Sequence, residues 1–69
     1  MERYQYKLDS LPYTDTNVQR VREILSQLGV RDCSISRHNS GCTFVEARLP
    51  SMMAFMQVEM GIRQAGLRD

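Results

Sequence analysis

Hydrophobic and polar residues alternate from Arg3 to Leu8, with Tyr4, Tyr6 and Leu8 on one side and Arg3, Gln5 and Lys7 on the other. Period-two alternation rich in aromatic residues predicts a strand buried on one face. Asp9-Ser10-Leu11-Pro12 is turn-forming sequence and is expected to end it. The period then changes. Val18, Val21, Leu25 and Leu28 recur at helical spacing with Ile24 beside them, while Gln19, Arg20, Arg22, Glu23, Ser26 and Gln27 fill the remaining face. Thr16 followed by Gln19 fits a capping box, with Thr14 and Asp15 as alternative caps. Gly29 stands where a left-handed residue closes a helix, and Val30 is placed to fold back on Leu25.

From Arg31 to Leu49 the pattern predicts a hairpin. Asn39-Ser40-Gly41 suits a three-residue loop, a type I turn ending in Gly at the left-handed position. That turn sets His38 against Cys42, Ser36 against Phe44, Ile35 against Val45 and Cys33 against Ala47. Cys33, Ile35, Val45, Ala47 and Leu49 then share one face, and a slip of one residue would scatter them. Turn chemistry and hydrophobic pattern therefore agree. Ser51 is the expected N-cap of a last helix running to about Ala65, and Gly66-Leu67 repeats the ending of the first helix. Gly61 inside it costs about 1 kcal/mol relative to Ala.

The order is β-α-β-β-α, in one domain spanning residues 1–69. The expected architecture is an α+β two-layer sandwich, a three-stranded antiparallel sheet with both helices on one face. A right-handed crossover would seat the third strand between the first and second, as in a ferredoxin-like fold truncated before its last strand. The meander order 1-2-3 is the alternative. In the crossed order the first strand is an open edge, and Gln5 and Lys7 are its candidates for pairing with another chain.

Composition narrows the function. A chain of 69 residues buries only about 60% of the surface it exposes when unfolded, so association is one remedy for a small core. Nine basic residues against eight acidic ones leave a charge of +1, a weak source of attraction for polyanions. Eight of the nine basic residues are Arg, the type enriched at protein interfaces. The N-terminus lacks the apolar stretch of a signal peptide, and no apolar run approaches the ~18 residues of a membrane span. The expected setting is a reducing cytoplasm without membrane attachment, and the chain reads as a complete small gene product. Two cysteines without a CxxC spacing and one histidine make no zinc site unless a carboxylate completes it, and no metal or other cofactor is expected.

Two features exceed what such a fold needs. On the last helix Phe55, Val58, Ile62 and Ala65 form one stripe, with Met52 at its margin. Met53, Met56 and Met60 form a second, on the other side of the helix. One stripe suffices to cover a small sheet, and Met suits adaptable contact surfaces. The second stripe is therefore a candidate interface. The plainer alternative is that the first helix covers part of it and the rest is ordinary exposed Met. Phe44 is expected on the sheet face away from the helices, near Cys42, Glu46, Ser34, Ser36 and His38, where a lone aromatic suits a partner's anchor point.

His38 and Cys42 are cross-strand neighbours, a candidate reactive pair that a flat hairpin tip gives neither an oxyanion site nor a pocket. No phosphate loop, acid-base carboxylate pair or nucleophile elbow is present. The reading that follows is a non-enzymatic, protein-binding regulatory module, homodimeric, acting as inhibitor, adaptor or modulator of a larger protein. A nucleic-acid binder is the competing class, with Phe44 stacking on a base and Arg3, Lys7, Arg37 or Arg48 on phosphates, disfavoured by the charge balance. A small-ligand or enzymatic role near Cys42 and His38 is the third.

Overall fold

The computed structural model describes residues 1–68 and contains β1 (Glu2–Pro12), α1 (Asp15–Gln27), β2 (Cys33–Arg37), β3 (Cys42–Leu49) and α2 (Met52–Gln64). The sheet order is β1-β3-β2, with both outer strands antiparallel to β3. The crossed order is thus the observed one, and the meander is excluded. Tyr6 and Leu8 of β1 and Val45, Ala47 and Leu49 of β3 pack in one cluster with Val21 and Leu25 of α1 and Val58 and Ile62 of α2. Both helices therefore cover the same sheet face.

The hairpin has the register set by its turn. Cys33 lies opposite Ala47, Ile35 opposite Val45 and Ser36 opposite Phe44. Gly41 at φ +92° occupies the left-handed position, donates its N–H to the His38 carbonyl (2.9 Å), and lets the His38 N–H reach the Cys42 carbonyl (2.9 Å). Both helices end alike. The Val30 N–H donates to the Leu25 carbonyl and the Leu67 N–H to that of Ile62, and Val30 and Leu67 are buried where the chain turns back. This is the Schellman closure expected at each glycine.

Two expectations about boundaries are corrected. β1 does not stop at Leu8 but continues to Pro12, across a register shift between Leu8 and Pro12. The extension persists because Leu11 is buried and the Pro12 carbonyl accepts from Thr43 Oγ1 (3.3 Å) and Asn17 Nδ2 (2.9 Å). The cap of α1 is Thr14, whose Oγ1 accepts the Asn17 N–H (3.2 Å), and not Thr16. Gln19 consequently forms no capping box and donates to Glu23 instead (3.2 Å). Ser51 caps α2 as expected, accepting the Ala54 N–H (3.2 Å).

Candidate functional site

The orientation of α2 is fixed from two sides. Phe55 stacks against Tyr4 and Tyr6 of β1 with ring centroids 4.9 and 5.1 Å away, and the Tyr6 hydroxyl donates to the Phe55 carbonyl (3.1 Å). On another side Gly61 lies against Leu28 of α1, whose Cδ2 would be 2.6 Å from a Cβ at that position. Val58 and Ile62 point between these contacts into the core. The opposite face carries Met53, Met56 and Met60 at 70, 57 and 58% exposure. α1 does not cover them.

Met52, expected at the margin of the inner stripe, belongs to the outer face with 59% exposure. The helical wheel carried that signal, since Met52 lies only about 40° from Met56. On the side of α2 that carries Ala54, Gln57 and Val58 is a hollow of about 320 Å³, lined also by Leu28, Val30, Leu49 and Pro50 and by no methionine. It was not legible from the sequence, because three separate elements form its wall. The charged border of the helix is Glu59, held by Arg68 (3.1 Å) and Arg63 (3.7 Å).

The sheet face away from the helices is polar. Lys7, Phe44 and Ser36 make one cross-strand row, and Gln5, Glu46 and Ser34 the next. Gln5 and Lys7 lie on the outer strand, where among the described residues β1 has no second neighbour. Phe44 is half-buried, its ring 5.6 Å from His38 and tilted by 42°. Tyr4 and Tyr6 face the helix layer and add no second ring to this surface. Arg3 faces Glu46 at 3.8 Å, Lys7 faces Asp9 at 3.2 Å and Arg48 faces Asp32 at 3.8 Å, so each cation already has a carboxylate. Arg37 is displaced from this face: it pairs with Thr43 and alternates with Ser36, which puts it on the helix side of β2.

At the hairpin tip Ser40 intervenes between the candidate pair. Its hydroxyl lies 3.0 Å from His38 Nδ1 and donates to Cys42 Sγ (3.2 Å), while its N–H donates to Nδ1 (3.2 Å). The backbone donor makes Nδ1 the accepting nitrogen of the ring. Cys42, expected on the open face beside Phe44, is instead buried, because β1 runs on to Pro12 and pairs with it. Cys33 is half-buried, and burial pushes its thiol above the ordinary range against the opposing pull of Arg22.

Among the described residues, no cluster of three or more His, Cys, Asp or Glu side chains is positioned to hold a metal ion. No helix among the described residues is long and apolar enough to cross a membrane. No protein-family model matches the chain, and no curated protein or solved structure is significantly similar to it.

Proposed function

We propose that this protein is a non-enzymatic interaction module of the cytoplasm that pairs with a second copy of itself and binds a larger protein as inhibitor, adaptor or modulator. One observation carries the reading: Met53, Met56 and Met60 stand exposed on the face of α2 turned away from the protein's own core. Contiguous apolar surface is uncommon on a monomer unless something docks there. Flexible thioethers adapt to a partner's contour at low steric cost. The β1-β3-β2 order supports a ferredoxin-like arrangement lacking its last strand, which leaves β1 open where that strand would lie.

Nucleic-acid binding around Phe44 has weaker support, since Arg3, Lys7 and Arg48 are each matched by an acid. Chemistry at His38 and Cys42 has weaker support still, with the thiol buried.

Light scattering across a concentration series tests the self-association, with Met56→Glu as control. A dimer that Met56→Glu dissociates supports it. A strict monomer at high micromolar concentration, indifferent to that substitution, overturns it. Affinity capture from the native host with the same control tests the partner. A salt-dependent gel shift lost in Phe44→Ala would instead establish the nucleic-acid reading.

A further inference from the structure

We infer that the second copy docks edge to edge on β1, about a two-fold axis through Tyr6. This rests on the self-association proposed above. β1 is an outer strand, paired on one side only, and its register against β3 is unbroken from Glu2 to Leu8. Unpaired strand edges are templates for another strand, and a two-fold axis normal to the sheet sets β1 antiparallel to its copy. About Tyr6, Arg3 falls opposite Asp9 of the second copy, Gln5 opposite Lys7, and Tyr4 opposite Leu8. Symmetry repeats each pair. On the open face Arg3 meets Asp9 and Lys7 meets the neutral Gln5, and on the helix side Tyr4 meets Leu8; Asp9 stands one residue past the regular register, and its ion pair with Lys7 (3.2 Å) keeps it on the open face.

The neighbouring registers fail this match. An axis through Gln5 sets Arg3 against Lys7, and one through Lys7 sets that residue against itself. An axis through Tyr4 sets Glu2 against Tyr6 on the apolar side. An axis through Leu8 draws the whole irregular segment from Asp9 to Pro12 into the ladder, with Pro12, which has no N–H to donate, opposite Tyr4. Opposite charges directly across strands stabilise pairing and like charges oppose it. In the single copy Arg3 and Asp9 are exposed and hold only surface ion pairs, with Glu46 at 3.8 Å and Lys7 at 3.2 Å, which are weak enough to be shared or exchanged across the axis.

α2 supplies cover for the seam. Around the helix, Met52 and Met56 follow Phe55 by roughly 60° and 100°, on the side away from Gly61 and α1. Phe55 faces β1 and Gly61 faces Leu28, so Met52 and Met56 flank the open edge. Met53 and Met60 point away from the sheet and remain free for the larger partner.

The test uses Arg3→Asp and Asp9→Arg, each shown by circular dichroism to keep its fold, in sedimentation velocity. Each variant alone sets like charges across the axis twice and is expected to dimerise about tenfold more weakly or worse. An equimolar mixture restores both pairs in a heterodimer and is expected to recover wild-type affinity. Within one copy Arg3 and Asp9 are roughly 20 Å apart along the strand, beyond a Debye length of about 8 Å, so such recovery is intermolecular. Loss in both variants without recovery on mixing overturns the edge docking. A dimer indifferent to both but dissociated by Met56→Glu overturns it while leaving the self-association intact. A monomeric wild type removes both.

Discussion

Leu28, the C-cap residue of α1, straddles Gly61 in the middle of α2: a Cβ there would sit 2.6 Å from Cδ2 and 2.7 Å from Cδ1 of the leucine. A mid-helix glycine costs about 1 kcal/mol relative to alanine, and here the close seating of the two helices offsets that cost. Gly61→Ala in the wild-type background is therefore expected to leave stability within about 0.5 kcal/mol, the gain in helix propensity being spent on displacing Leu28. In a Leu28→Ala background the same change should stabilise by about 1 kcal/mol. Urea denaturation of the four proteins reads the coupling, and equal effects in both backgrounds would show the contact to be inconsequential.

Tyr6 links stability to alkaline pH. Burial, with Glu59 and Tyr4 nearby, pushes its phenol up to about 12. The unfolded chain releases that proton near the ordinary value of about 10, so between these limits the unfolded state binds fewer protons and stability falls as pH rises. Tyr6→Phe should flatten this decline in denaturation curves taken from pH 9 to pH 11.5. It should also cost about 1 kcal/mol at neutral pH through the lost bond to the Phe55 carbonyl.

The two faces of α2 should respond oppositely to substitution. Ile62 is fully buried, and Ile62→Ala is expected to destabilise by about 2–5 kcal/mol. Met60→Ala and Met56→Glu, on the exposed face, should stay within about 0.5 kcal/mol in the dilute single copy. Chemical denaturation at low concentration checks this. A large loss for either methionine variant would mean that it supports the fold itself.

Gly41→Ala tests the hairpin. At φ +92° an L side chain is strained, and the substitution should cost about 1–2 kcal/mol. For a domain of this size that lowers Tm by roughly 4–8 °C per kcal/mol. An unchanged melting temperature would show that the turn relaxes freely.

Cysteine access is a further check on the hairpin tip. Cys42 is buried behind β1, and the Cys33 thiol is pushed up by burial. Both should alkylate far more slowly in the folded protein near neutral pH than in denaturant. Rapid modification of Cys42 would reopen the reactive-pair reading.

Elements with a strong local signal were readable in advance. The Asn39-Ser40-Gly41 turn fixed which residues of β2 and β3 meet, because a side-chain period of two leaves one register that buries Ile35, Val45 and Ala47 together. The glycine endings of both helices were equally local. The misread positions depended on distant partners. Pro12 stays in the strand because Thr43 and Asn17 bond its carbonyl, and Thr14 rather than Thr16 caps α1 as the chain leaves that strand. Cys42 shares the parity of Phe44 and Glu46 on the open face, yet Pro12 opposite it helps to bury it.

What the chain determined by itself was periodicity: three strands, two helices, one sharp turn and an α2 with apolar residues on two sides. Periodicity gives the faces of an element but not its neighbours. Only the packed structure decided which methionine-bearing face is left over, by placing Phe55 over Tyr4 and Tyr6 and seating Leu28 on Gly61. Those contacts join residues far apart in sequence, and close packing admits one rotation of the helix that satisfies both.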